Sequence, residues 1–162
     1  MARVYVGLGS NVDREKRLRE ALDLLRLEFG DIEMSPVYDS ASVGFDGSNF
    51  LNLVVGFDSP LKVEEVAKVF RDIENQLGRD RSLPKFTSRS IDLDILLYGD
   101  HIVDVPGIRI PRPEILVNAF VLKPLQDIAP QRLHPETGQS YADHWQVMAP
   151  NAPRLELFPL EL

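Results

Sequence analysis

The chain has 162 residues, of which 44% are hydrophobic, so it has the length and apolar content of one domain with a substantial core. Its 25 acidic and 18 basic residues give a net charge of −7, which argues against a general nucleic-acid-binding protein because phosphate backbones repel negative surfaces. Cysteine is absent, which excludes disulfides, cysteine-ligated zinc and thiol catalysis.

The first predicted strand begins close to the N-terminus. Val4, Val6 and Leu8 alternate with other residues, which is the period of a half-buried strand. This apolar run is too short for a signal peptide, and no window approaches the roughly 20 apolar residues that span a bilayer. We therefore expect a cytoplasmic protein that does not associate with membranes.

A helix and two further strands are predicted next. From 13 to 29 apolar residues recur at helical spacing, and Gly30 follows where a helix commonly ends. The segments 32–38 and 50–57 are predicted strands. The glycine-containing segment 7–10 lacks a phosphate-binding lysine and GxGxxG spacing, so it is predicted to form a tight turn between the first strand and this helix.

The second half of the chain contains one more clear helix and one more clear strand. The helix is predicted to begin at the Ser-Pro pair 59–60, an N-cap oxygen followed by proline, and to end at Gly78. Residues 91–98 are a predicted strand, and 112–125 can hold a short helix. The tail from Ala129 onward shows no clear period.

The predicted order is strand, helix, strand, strand, helix, strand. This is the order of a ferredoxin-like core, in which helices pack on a largely antiparallel sheet. We therefore predict an α+β fold. Because no repeat, low-complexity run or linker interrupts the chain, residues 1–162 are predicted to form a single domain.

Two aspartates on the strand 91–98 are the sharpest chemical feature. Asp92 and Asp94 are two residues apart, so both carboxylates lie on one face of the strand while Ile91, Leu93 and Ile95 enter the core. Such a pair suits Mg²⁺, which takes one or two carboxylates and completes its shell with water and substrate phosphates. An ordinary polar outer face of a strand has the same pattern.

A basic loop precedes this strand. It contains Arg79, Arg81, Lys85 and Arg89 against the single acid Asp80, in a chain that is acidic overall. Cations next to a carboxylate pair are what metal-assisted phosphoryl transfer requires, because they bind phosphate oxygens and developing charge. A solvated basic loop is the alternative for these residues alone.

Other residue types are less informative. His101, His134 and His144 lack metal-ligand spacing and are predicted to be at the surface. Phe50 and Phe120 are, as isolated residues, more typical of a core than of a ligand-stacking site.

Several segments together resemble the 6-hydroxymethyl-7,8-dihydropterin pyrophosphokinase family. They are Val6–Asn11, Phe50–Asn52, Arg79–Leu96, Ile110–Pro113 and Phe120–Leu122. The similarity runs from Val4 to Pro130. It implies a ferredoxin-like α+β core and transfer of pyrophosphate from ATP to a pterin hydroxymethyl group, with release of AMP, in folate synthesis.

The resemblance also assigns roles to individual residues. Asp92 and Asp94 would bind two Mg²⁺ ions, and together with Arg79 and Arg89 they would form the catalytic set. Residues matching the ATP site are Glu74, Arg79, Arg81, Lys85, Arg89, Ile95 and Arg112. Residues matching the pterin site are Ser40, Val43, Phe50, Asn52, Asp92 and Phe120.

Some positions depart from the family pattern. Arg112 stands where the family generally has histidine, Asn118 where it has arginine, and Lys85-Phe86 where Arg-Trp is commoner, while Thr87 replaces glycine or alanine. Lysine loses the bidentate geometry of arginine. A related enzyme for a different pterin and a catalytically weak pterin- or nucleotide-binding protein are therefore alternatives. The expected partners are ATP and a reduced pterin, without nucleic acid or membrane, and the chain is expected to be a monomer.

Overall fold

The computed structural model describes residues 1–40, 49–78 and 91–160. In chain order its elements are β1 (Ala2–Ser10), α1 (Arg14–Phe29), β2 (Glu33–Met34), β3 (Val37–Ser40), β4 (Phe50–Ser59), α2 (Val63–Gln76), β5 (Asp92–Tyr98), β6 (Val103–Val105), β7 (Ile108–Ile110), α3 (Ala119–Ile128), α4 (Tyr141–Met148) and β8 (Glu156–Phe158). Short 3₁₀ turns cover Pro113–Leu116 and Ala149–Asn151.

Within the described residues, six strands form one antiparallel sheet in the order β5-β1-β4-β3-β8, with β2 pairing the far end of β4. Strands β6 and β7 make a separate hairpin. The two central strands and the helices α1 and α2 follow the predicted ferredoxin-like order. The predicted α+β class is confirmed.

Each face of the sheet is covered by a different pair of helices. Val4, Val6 and Leu8 of β1 contribute to one core cluster together with the buried stripes of α1 and α2. Tyr5 contributes to a second cluster with residues of α3 and with Tyr141 of α4. Because successive residues of a strand face opposite sides, β1 serves both cores. The site described below lies on the side of α3.

Several predictions of secondary structure differ from the structure. The segment 7–10 is not a turn but the end of β1, because residues 7–9 are paired with strands on both sides and Ser10 is paired with β4. The predicted strand 32–38 is two short strands, separated at Ser35, whose Oγ accepts a hydrogen bond from the Val54 amide at 2.9 Å. The second helix begins at Val63 rather than at the Ser-Pro pair, since Ser59 still belongs to β4.

The tail beyond Ala129 is ordered, although its sequence shows no period. Ser140 caps α4 by accepting a hydrogen bond from the Asp143 amide at 3.1 Å. His134 is buried at 4% exposure, which corrects its predicted surface position. Its Nδ1 accepts hydrogen bonds from two backbone amides, and burial lowers its pKa, an effect that the neighbouring His144 reinforces. Within the parts of the chain that are described, no helix is long and apolar enough to cross a membrane.

Candidate functional site

A cavity of about 330 Å³ lies between the sheet and the N-terminal end of α3. On β1 the residues facing it are Gly7 and Gly9, which have no side chains, so a trough remains above the sheet. The other lining residues come from β1, β3, β4, β5, α3 and the segment before α3: Leu8, Ser40, Phe50, Asn52, Leu53, Val54, Asp92, Asp94, Leu96, Arg112, Glu114, Asn118, Phe120 and Val121.

One part of this cavity combines aromatic rings with an oriented amide. Phe50 and Phe120 line it and are only half-buried, so their rings are accessible to a ligand. Asn52 is buried, and its Nδ2 donates a hydrogen bond to the Oγ of buried Ser40 at 2.7 Å. Accessible rings beside a few fixed polar groups suit a flat, polar heterocycle.

The opposite part of the cavity is charged. Asp92 and Asp94 lie on one face of β5, as predicted from their spacing. Leu93 and Ile95, which alternate with them along the strand, are buried. The side chain of Asp94 is 44% exposed. Two half-exposed carboxylates on one strand face are a donor pair that a hard divalent cation can use.

Arg112 is held next to this carboxylate pair. Its backbone amide donates a hydrogen bond to the Leu96 carbonyl at 3.0 Å, which fixes it against β5. Its Nη2 lies 3.5 Å from Oδ1 of Asp94, and its Nε lies 2.7 Å from Oε2 of Glu114. The guanidinium therefore bridges two acids of the site.

A second cavity, of about 190 Å³, lies on the outer side of β5. Helix α2 and strand β7 form its other walls. The buried Glu74 on α2 accepts a hydrogen bond from the Leu93 amide at 3.0 Å, so α2 is fixed against this strand of the sheet. Its lining residues are Ala67, Phe70, Arg71, Glu74, Leu93, Asp94, Ile95, Gly107, Ile108, Arg109, Ile110 and Arg112.

The two cavities share Asp94 and Arg112. Both side chains thus stand on the boundary between a cavity that suits a flat heterocycle and a second, more polar one. The two cavities therefore adjoin at this pair.

The structure brings most of the predicted site residues together. The first cavity contains Ser40, Phe50, Asn52, Asp92, Asp94, Arg112 and Phe120, and the second contains Glu74, Asp94, Ile95 and Arg112. The predicted contacts at Val43, Arg79, Arg81, Lys85 and Arg89 lie outside the described residues.

Sequence reasoning missed three charged residues, Arg71 and Arg109 of the second cavity and Glu114 of the first. Arg71 lies three residues before Glu74, and this spacing on one helix face is a usable signal. Nothing in the sequence indicates that the β6–β7 hairpin brings Arg109 beside β5.

The donor set limits the kind of metal that could bind. Among residues 1–40, 49–78 and 91–160, no three histidine, aspartate or glutamate side chains are close enough to hold a metal ion by themselves. The pair Asp92 and Asp94 fits an ion that takes its other ligands from substrate phosphates and water, as Mg²⁺ does.

Comparisons with known proteins agree with one another. The sequence pattern of the family described as 7,8-dihydro-6-hydroxymethylpterin-pyrophosphokinase (HPPK) matches residues 5–130. The 2-amino-4-hydroxy-6-hydroxymethyldihydropteridine pyrophosphokinase of Aquifex aeolicus is 38% identical over 138 residues, which are 83% of this chain and 85% of that protein.

Two longer proteins match over only part of their length. The folic acid synthesis protein fol1 of Pneumocystis carinii is 36% identical over 146 residues, 88% of this chain but 20% of that protein. The crystal structure of Plasmodium falciparum HPPK-DHPS wild type with SDX-DHP superimposes with a TM-score of 0.72 at 14% identity, covering 93% of this chain and 45% of that chain. At this identity the structure supports the fold alone.

Proposed function

The chain belongs to the 7,8-dihydro-6-hydroxymethylpterin-pyrophosphokinase family, and on this premise we propose how its two cavities divide the work of the reaction. The family assignment predicted from the sequence is confirmed. The reaction is pyrophosphoryl transfer to the hydroxymethyl group of the dihydropterin, a step of folate biosynthesis. One observation carries the proposal: Asp94 and Arg112 line both cavities.

The first cavity binds the pterin. Phe50 and Phe120 contact the faces of the ring, and Asn52, oriented by Ser40, contacts its polar edge. Asp92 and Asp94 line the same cavity, so the hydroxymethyl group of the bound ring points toward them. Rings that stack with a ligand, together with a fixed amide, provide both affinity and orientation.

The second cavity binds ATP. Ile95 provides an apolar wall, while Arg71 and Arg109 add positive charge near the nucleotide. The triphosphate runs from this cavity toward the shared pair. Arg112 contacts phosphate oxygens there, and its charge matters more in this chain because Asn118 stands where the family generally has arginine. Arg79, Arg81, Lys85 and Arg89 are proposed as further phosphate contacts.

Asp92 and Asp94 hold the metal, for which we propose two Mg²⁺ ions. When bound, Mg²⁺ neutralises phosphate charge and orients the transferred group. The chain's own residues hold the pterin hydroxyl in line with the β-phosphorus. As the bond from the hydroxyl oxygen to the β-phosphorus forms, the bond from the β-phosphorus to the oxygen that bridges the α- and β-phosphates breaks, AMP leaves with that oxygen, and the hydroxyl proton is released to water. Positioning and charge neutralisation supply the acceleration.

We further propose that residues 1–162 act as a single domain and as a monomer in the cytoplasm, without nucleic acid. The net charge of −7 supports the last point, because an acidic chain repels phosphate backbones.

Calorimetric titration with an ATP analogue that cannot be cleaved between the α- and β-phosphates tests this division of the site. With Mg²⁺ present we expect tight binding, and with EDTA an affinity lower by about tenfold or more, since the phosphates lose their counter-charge. Pterin affinity should change by no more than about twofold, because its contacts are mainly neutral. Nucleotide affinity that is indifferent to EDTA would contradict the metal assignment.

Gly9→Ala tests the position of the pterin. A methyl group at Gly9 would lie 2.9 Å from Oδ1 of Asn52 and 3.6 Å from Phe50, so the amide must move. We expect pterin affinity to fall by about tenfold, which is a usual cost of overfilling a packed site. Gly56→Ala is the matched control. Gly56 lies on β4 and lines neither cavity, while a methyl group there would lie 2.8 Å from the Tyr5 ring, so fluorescence titration should show little change in pterin affinity. Equal losses in both variants would contradict the assigned position.

A further inference from the structure

The first residue of α1 contacts three separate segments of the chain. Nη1 of Arg14 donates hydrogen bonds to Oδ2 of Asp39 at 3.1 Å and to the carbonyl of Asn49 at 3.2 Å. Its guanidinium carbon also lies 5.3 Å from the centre of the Phe158 ring, a distance at which a cation is attracted to the ring face. These partners belong to β3, to the residue before β4, and to β8.

Two of these contacts adjoin the pterin cavity. Asp39 immediately precedes Ser40, and Asn49 immediately precedes Phe50, and in the sheet Ser40 is paired with Phe50. Arg14 is not among the cavity residues. One guanidinium therefore fixes the spacing of the two strand ends without touching the ligand space.

The ion pair of Arg14 and Asp39 is stronger than a fully solvated surface ion pair. The side chain of Arg14 is 29% exposed and that of Asp39 is 22% exposed, so water screens the pair only in part. Hydrogen bonds between charged groups are roughly twice as strong as neutral ones. A displacement of either strand end changes the geometry of the Asn52–Ser40 hydrogen bond, because these residues lie on the same two strands.

The stacking contact connects the C-terminal tail to this arrangement. Phe158 is paired with Val37, and Glu156 with Asp39, so β8 runs along the outer side of β3. The ring of Phe158 limits where the Arg14 side chain can lie. Through this contact the C-terminal tail helps to fix the position of β3, the strand that carries Ser40.

We propose that Arg14 is a positioning residue for the pterin cavity, and that β8 contributes to pterin affinity through the stacking of Phe158 on Arg14. The inference rests on the proposed function, because it takes the first cavity to bind the pterin.

Arg14→Met tests the first half of this proposal. We expect the dissociation constant of the pterin to rise by about tenfold, as for the loss of a hydrogen-bonded charge, while the KM for ATP stays within about twofold. Arg14→Lys keeps the charge and should restore part of the affinity. Arg26→Met is the control, since Arg26 is on the same helix and pairs with Asp23 at 3.4 Å, away from the cavity residues. Should the methionine variant fail to fold, the lysine variant is compared with Arg26→Lys.

A double-mutant cycle tests the second half. Phe158→Leu keeps an apolar side chain packed against the core but removes the ring, and pterin affinity should fall by about threefold. In the Arg14→Met background, Phe158→Leu should not reduce pterin affinity further, because the guanidinium that contacts the ring is already absent. Additive losses would overturn the proposed coupling, as would equal changes in the KM values of both substrates. A chain that binds no pterin before any substitution would refute the proposed function instead.

Discussion

Replacing Asp94 with asparagine is expected to reduce the rate of pyrophosphoryl transfer by about 10³-fold or more. The amide has nearly the same size, so the fold and both cavities should persist. It cannot carry the negative charge that a divalent cation requires, and it removes one of the two carboxylates that Arg112 bridges. Because Asp94 lines both cavities, the negative charge is lost at the point where the two substrates meet.

The measurement is the rate of AMP formation at saturating ATP and pterin over a range of Mg²⁺ concentrations. Asp100→Asn is a matched control, because Asp100 is 86% exposed and follows the same strand. It should retain activity within about twofold. Turnover like that of the unsubstituted chain in Asp94→Asn would remove the aspartate pair from the mechanism.

Arg112→Met is expected to lower kcat by about 100-fold, as removal of a preorganised charge stabiliser does in other phosphoryl- and acyl-transfer sites. The reason is specific to this chain. The guanidinium of Arg112 lies at the boundary of the two cavities, where Glu114 holds it at 2.7 Å. Asn118, which lines the first cavity, carries no positive charge. Arg112→Lys should lose about tenfold, because lysine keeps the charge but not the planar fork.

Steady-state rates of the two variants, with the KM for each substrate, check this prediction. Arg154→Met removes an equal charge from a position that is 86% exposed, and it should leave both parameters unchanged. A methionine variant at position 112 whose kcat equals that of the control would show that Arg112 contributes nothing to the transfer.

The carboxylate pair and the fold class could be predicted because they depend on local periods. Alternation along 91–98 fixes which residues of β5 face the core, so the common face of Asp92 and Asp94 follows directly. The order of helices and strands then limits the topology to very few arrangements. Seven of the described residues carried over from the family lie on strands of this sheet or on α2: Ser40, Phe50, Asn52, Glu74, Asp92, Asp94 and Ile95.

The glycines of β1 show where local reasoning fails. Glycine usually marks a turn, and this preference predicts a turn at Gly7 and Gly9. Strands on both sides of β1 override this preference, and the missing side chains serve to leave space above the sheet. Such a role depends on what lies across the cavity, which a single strand does not reveal.

Contacts between distant segments also could not be predicted from the sequence. Arg14 and Asp39 are separated by 25 positions, and neither has a distinctive pattern of neighbours. The strand β8 has only three residues, too few for a period to be recognised. His134 is buried because the tail folds back over Tyr141, with ring centres 6.0 Å apart. Each of these features follows from tertiary packing.

A turnover assay with MgATP and 6-hydroxymethyl-7,8-dihydropterin, in which AMP and ADP are separated by chromatography, tests the central claim most directly. We predict AMP that forms only when the pterin is present, together with the pterin diphosphate in equal amount. Formation of ADP would mean transfer of a single phosphate, and bound pterin without any product would mean a binding protein. Either result would contradict pyrophosphoryl transfer across Asp94 and Arg112.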